Sequence, residues 1–371
     1  MKKLILISGL VLFFLSCEAP KLKIGMILPQ EGPASIYGNS ALKGTNLAIE
    51  QLKDKEFFGK SLEFVIRDNR GLPDLTKEIM LSFGEDKDVI CVIGPVISRN
   101  AFISASVSQK YSLPVLSPTA THPLVTKIGD FVFRVTFTDS IQGAILAKFV
   151  YEKLNKKKVA ILYEANDPYS EVLSRNFEIS LKNLGGEIVT SEFFLEQDTV
   201  FYSKLDKISS LNPEVLFLPV YANYVPLIIK QALEIKFTPV FVGGDGWYSE
   251  DLIENNKDVF KKVTAYISSP FTPDLPSNKV KDFVKKYKEK YGEVPDFASA
   301  LAYDAVNIVY EVFKRMKEPE RMELVNNLKG FEFEGVTGKI SFKKGKDPLK
   351  DVFIIRVLPE GFKYFMTIHP E

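Results

Sequence analysis

The sequence runs to 371 residues, 46% of them hydrophobic, and its 48 Lys plus Arg nearly balance 47 Asp plus Glu, leaving a net charge of +1. No basic face with interleaved aromatics appears, which argues against a nucleic-acid partner; two histidines, His122 and His369, and two cysteines argue against a transition-metal centre. The length exceeds what one hydrophobic core usually supports, so two lobes are expected.

In chain order, Met1-Lys2-Lys3 is a basic start, and Leu4 to Leu15 is an apolar run. A bilayer span needs about 20 apolar residues, so this run predicts an export signal over 1–16 and not a membrane helix. It ends in Leu15-Ser16-Cys17, which resembles the lipobox of bacterial lipoproteins, although Phe14 stands where that pattern usually has leucine. The resemblance implies cleavage before Cys17, lipidation of Cys17, a tethered stretch over 17–20, and an exported protein held at a membrane by its lipid.

From Lys21 onward short β-rich runs alternate with amphipathic helices. The pattern predicts a strand over 23–28 and a helix over 39–52, with Leu42, Thr45, Ile49 and Leu52 at helical spacing. A strand over 62–66, a helix over 74–83, a strand over 89–93 and a helix over 98–109 follow. Strands over 115–116 and 131–135 lead into a helix over 141–154. Cys91 falls inside Val89-Ile90-Cys91-Val92-Ile93 and reads as a small core hydrophobe. With Cys17 removed or lipidated, Cys91 has no partner for an intramolecular disulfide.

The alternation then restarts. A strand is expected over 159–163, a helix over 170–184 stopped by Gly185-Gly186, and a strand over 187–194. A helix over 200–208, strands over 215–218 and 240–242, and a helix over 224–235 between them complete the second set. The last third predicts helices over 279–291, 297–313 and 322–328 and strands over 339–342 and 352–357. Repeated βα units imply parallel sheets with helices on both faces. The fold class is therefore α/β: two doubly wound parallel-sheet lobes joined by a hinge of several crossovers. Lobe one is expected over 21–138 plus 267–342, and lobe two over 139–266 plus 343–371.

Open parallel sheets bind ligands beyond the C-terminal ends of their strands. After the strand ending at Ile93, Ser98 is placed to cap the next helix, where free N–H groups favour a carboxylate. Ser117-Pro118-Thr119-Ala120-Thr121 follows the next strand as a second cluster of hydroxyls and backbone donors. In the second set, Gly243-Gly244-Asp245-Gly246-Trp247 surrounds one carboxylate with glycines that let backbone approach a ligand closely. Asp245 there either pairs with an ammonium or serves local hydrogen bonding in a turn. Tyr37, Tyr169 and Tyr221 also follow strands. His122 is the one candidate base and reads as a loop residue. With no Gly-x-Ser-x-Gly elbow, P-loop or metal cluster, the sequence suggests neither an enzyme nor a cofactor.

In combination these pieces resemble the leucine/isoleucine/valine-binding proteins of the type I periplasmic-binding fold. The opening Ile24-Gly25-Met26-Ile27-Leu28, Gly32 to Gly38 and Lys43-Gly44 carries the resemblance first. Ile93-Gly94-Pro95 to Ser98, Ser117 to Pro123, Phe133-Arg134-Val135 and Gln142-Gly143 continue in register. So do Tyr169-Ser170-Glu171, Lys230-Gln231-Ala232, Gly243 to Trp247 and Ala302-Tyr303-Asp304-Ala305. The resemblance implies that Ser98 and Thr121 bind a ligand α-carboxylate and that Thr119 contributes mainly backbone. It implies that Asp245 holds the α-ammonium, where the branched-chain binders carry glutamate, and that Tyr37, Tyr169 and Tyr221 wall the cleft. Arg99 departs from a stretch that is usually small and neutral. It either faces solvent or meets an acidic group on the ligand.

The implied protein is an exported, lipid-anchored binder of an amino-acid-like small molecule that serves an ABC permease in the inner membrane. A sensor on the same fold, or a binder of an amide, urea or aromatic acid, is the alternative.

Overall fold

The structure, a computed structural model, describes residues 21–52 and 55–370. The expected export signal, Cys17 and the stretch 17–20 lie outside the described residues.

The first lobe begins β1 (Lys21–Ile27), α1 (Ser35–Gln51), β2 (Glu56–Phe57), β3 (Lys60–Arg67), α2 (Pro73–Glu85) and β4 (Val89–Ile93). It continues through α3 (Ser98–Tyr111), β5 (Val115–Ser117) and β6 (Val132–Arg134). Its sheet has the order β2-β3-β1-β4-β5-β6, parallel except for the β2 edge. β4 is buried along its whole length, as expected of an apolar strand covered on both faces. Cys91 lies within it, buried and free of any disulfide.

The second lobe runs α4 (Asp139–Lys148), β7 (Lys158–Glu164), α5 (Pro168–Asn183), β8 (Glu187–Phe194), α6 (Tyr202–Ser210) and β9 (Val215–Leu218). α7 (Val225–Glu234), β10 (Val240–Gly243), α8 (Glu250–Glu254), α9 (Lys257–Phe260) and β11 (Thr264–Ser269) follow. The chain then returns to pack α10 (Asn278–Tyr291), α11 (Phe297–Phe313) and α12 (Arg321–Leu328) on the first lobe. A hairpin of β12 (Glu332–Gly335) and β13 (Gly338–Ser341) precedes β14 (Val352–Leu358) and β15 (Gly361–Ile368). The second sheet has the order β15-β14-β11-β10-β9-β7-β8, parallel from β11 to β8, with β14 antiparallel to β11 and β15 antiparallel to β14. The chain thus passes between the lobes after β6, after β11 and after β13.

Several elements depart from the sequence expectation. β11 has the sequence Thr-Ala-Tyr-Ile-Ser-Ser, half of it small polar residues, and was not anticipated. It lies wholly in the second sheet, so the return to the first lobe comes after Ser269 and not at 267. β15 was also unforeseen, because Lys363, Tyr364 and Phe365 are exposed on the sheet edge and blur its alternation. The expected single helix over 141–154 is α4 followed by a π-turn over Phe149–Lys153. By contrast, Gly185 and Gly186 end α5 as anticipated: Gly185 takes φ +91°, and the two N–H groups close on Lys182 O and Leu181 O.

Two helices show how sequence sets depth. α10 buries only Val280, Phe283 and Tyr287, spaced three and four apart, and leaves its lysines in water. α11 is apolar nearly all round and is buried on almost every side. It approaches α1 so closely that a Cβ on Gly44 would stand 1.9 Å from the Ser299 carbonyl oxygen.

Candidate functional site

Leaving out the antiparallel edge strands, both sheets share one order, with the first strand inside the second and the remaining three running the other way. The topological switch points therefore lie between β1 and β4 and between β7 and β9, where such sheets form crevices. Tyr37 follows β1, Ser98 follows β4, Tyr169 follows β7 and Tyr221 follows β9. Thr119 and Thr121 come from the loop after β5, and Asp245 from the loop after β10. All seven line one narrow cavity between the lobes, together with Val96, Ile97 and Phe297.

On the first lobe the cavity offers hydroxyls. Ser98 is the first residue of α3 and not its cap: Ile97 occupies the cap position and no side chain caps the helix. The Ser98 hydroxyl instead accepts the His122 N–H at 3.3 Å, which ties α3 to the loop after β5. The Thr119 hydroxyl donates its proton to Val96 O, which leaves its oxygen as an acceptor only. Arg134, fully buried, holds the same loop: Nη1 donates to Ala120 O and Nη2 to His122 O, both at 2.8 Å, on either side of Thr121. Its Nε pairs with Asp347, which lies in the last passage between the lobes, at 2.6 Å. His122 accepts the Leu124 N–H on Nδ1 and packs edge-on against Phe102. Burial, with Arg134 nearby, pushes its imidazole down to about 4, so it is neutral near pH 7.

On the second lobe the cavity offers a carboxylate. Asp245 Oδ1 accepts from Gln142 Nε2 and from the Tyr169 hydroxyl, each at 3.1 Å. Gln142 Oε1 in turn accepts the Asp245 N–H at 3.0 Å and the Ser268 hydroxyl at 2.9 Å. Burial pushes Asp245 up to about 6, with the Gln142 and Tyr169 donors opposing it. Gln142 Nε2 also reaches Asp139 Oδ1 at 3.1 Å. Burial, reinforced by the charge of Asp245, lifts Asp139 well above the usual carboxylate range. The glycines of Gly243-Gly244-Asp245-Gly246 make room for protein side chains, and Gly246 also lines the cavity. A Cβ on Gly244 would stand 2.3 Å from the Tyr169 hydroxyl and 2.6 Å from Gln142 Oε1, and one on Gly243 would strike the Trp247 indole.

The lobes touch across the cavity. Tyr37, from the first lobe, donates its hydroxyl to Gly246 O and accepts the Ala222 N–H at 3.1 Å, both in the second. Tyr169 and Tyr221 stack with ring centres 5.0 Å apart, and Tyr37 leans on Tyr221 at 5.8 Å. This is a closed arrangement. Arg99 does not line the cavity; its side chain is partly exposed to water, and its partners are carboxylates of the opposite lobe. Sequence reasoning left Gln142 and Arg134 without a role and did not single out Phe297, Asp139 or Asp347. Their partners lie up to 213 residues away, beyond any local spacing rule.

Comparison with known proteins adds a lineage. A family described as periplasmic binding protein matches residues 21–361. A leucine-, isoleucine-, valine-, threonine- and alanine-binding protein of Pseudomonas aeruginosa is 24% identical over 334 residues, covering 90% of this chain and 88% of that protein. A crystal structure of a leucine-binding protein, LivK, from Thermotoga maritima superposes with TM-score 0.89 at 30% identity, covering 94% of this chain and 99% of that one. LivJ of Streptococcus pneumoniae, a branched-chain amino acid transporter substrate-binding protein solved with isoleucine, superposes with TM-score 0.87. It too is 30% identical, covering 94% of this chain and 100% of the other.

Proposed function

The chain belongs to the periplasmic binding protein family, and from that premise we propose that it is the exported substrate-binding lipoprotein of an ABC importer, taking a branched-chain or similar amino acid into the inter-lobe cavity. The observation that carries this reading is the pairing of opposite chemistries across one small buried space. Ser98, Thr121 and the backbone at Thr119 suit a carboxylate, and Asp245 suits an ammonium. Val96, Ile97, Tyr37, Tyr221 and Phe297 supply apolar wall for an aliphatic side chain. The related proteins named for leucine, isoleucine and valine support the same ligand class.

Binding proceeds by closure. A ligand lodged first on the hydroxyls of lobe one gains Asp245, Tyr169 and Tyr221 only when lobe two swings over it, so it shifts the hinge equilibrium toward the closed form. The closed form is what an inner-membrane permease would receive, with Cys17 lipidated and tethering the protein near it. The ligand is bound and released unchanged.

Titration calorimetry with L-leucine, L-isoleucine and L-valine tests the reading. Asp245→Asn keeps the shape but removes the charge facing the ammonium, and should cost about 2–5 kcal/mol, on the order of 30-fold to several-thousand-fold in Kd. Ser98→Ala should cost about 1–3 kcal/mol, since backbone donors remain. If Asp245→Asn binds as tightly as wild type while Ser98→Ala is impaired, the ligand has no ammonium there, and an amide, urea or aromatic acid is the better assignment.

A further inference from the structure

Arg99 is the second residue of α3, on the first lobe, and its guanidinium crosses the cleft. Nη2 lies 3.5 Å from Asp167 Oδ1 and 3.9 Å from Glu164 Oε1, and Nη1 lies 3.5 Å from Glu196 Oε2. The three acids come from separate places on the second lobe: Glu164 ends β7, Asp167 caps α5 and Glu196 follows β8. Glu164 and Asp167 are almost fully buried here, which leaves like charges side by side out of water. Burial, followed by Asp167, pushes Glu164 up to about 7, and Arg99 opposes both. The second lobe thus presents three clustered carboxylates, and Arg99 of the first lobe pairs with all of them.

The location matters as much as the pairing. Arg99 and the three acids line a space that shares Tyr37, Ile97 and Tyr221 with the ligand cavity. We propose that Arg99 is an inter-lobe latch that sets the lifetime of the closed state, and so the residence time of the ligand, without touching the ligand. In an open form the guanidinium and the carboxylates separate and each is hydrated. The ion pairs exist only after closure, so they favour the closed form alone. A half-exposed pair gains little, but a fork shared among three carboxylates in a partly desolvated mouth gains more.

The inference rests on the closure reading above, and its test separates the two. Arg99→Met keeps most of the stem and removes the charge. With L-leucine followed by stopped-flow fluorescence at low salt, the variant should release ligand about tenfold faster with little change in association. Raising salt to about 0.5 M, where charge is screened within a few ångströms, should bring the wild type toward the variant and leave the variant unmoved. Equal release rates with equal salt response would overturn the latch. So would a loss carried by slower association with the salt response of release intact, since Arg99 would then steer or touch the ligand. If the wild type binds none of L-leucine, L-isoleucine and L-valine, the functional reading fails. The latch is then judged on ligand-free protein by single-molecule energy transfer between dyes on the two lobes. A lower closed fraction in Arg99→Met supports it, and an unchanged one overturns it.

Discussion

Asp245 sits at the junction of two demands, burial and charge. Packed under Tyr169 and Gln142, its carboxyl is pushed up to about 6, whereas an ammonium beside it would draw the value down. The sign of the pH dependence follows. Binding an ammonium requires the carboxylate, so affinity is full above about pH 7 and falls as pH drops through 6, by up to roughly tenfold per unit. Burial lifts Asp139 well above the usual carboxylate range, while His122, at about 4, lies below this window. Glu164, at about 7, does titrate at the cleft mouth, so the comparison needs Asp245→Asn beside wild type. Calorimetry between about pH 5 and 7 should show the wild-type slope reduced in that variant. Parallel slopes would place the titrating group elsewhere. The placement of Asp245, Ser98 and Thr121 around one cavity was legible in the sequence because each follows a strand by a few residues. Arg134 and Gln142 were not, because their work depends on Asp347 and Asp245, more than 100 residues distant in both cases.

Secondary-structure elements were readable where one physical rule dominates. β4 and β9 are unbroken apolar runs and were anticipated residue for residue, while β11 carries Ser268 and Ser269 at fully buried positions. Those serines are tolerated because Ser268 donates to Gln142 Oε1 and Ser269 to Phe271 O. No local pattern announces the Gln142 partner, 126 residues away. Close helix packing gives an element-level prediction at Gly44. In an isolated helix alanine would be better than glycine by up to about 1 kcal/mol. Here the new methyl would meet the Ser299 carbonyl at 1.9 Å, so α1 and α11 must part. Gly44→Ala should therefore destabilise the protein, by about 1–3 kcal/mol in urea unfolding. A gain in stability would show that the helices yield without cost.

At the level of the whole molecule, two sheets of the same strand order face each other across three chain passages, and everything proposed for the site depends on their closing. The cavity presents hydroxyls and backbone donors from one lobe and a carboxylate from the other, joined by Tyr37 bridging to Gly246 and Ala222. The proposed ligand, which holds the lobes together, carries a negative and a positive end. The direct measurement is titration of the wild-type protein with L-leucine and with its deaminated analogue, 4-methylpentanoate, under identical conditions. L-leucine should bind one molecule per chain, and the analogue at least about 30-fold more weakly, having nothing to place against Asp245. Equal affinity for the two would contradict the account.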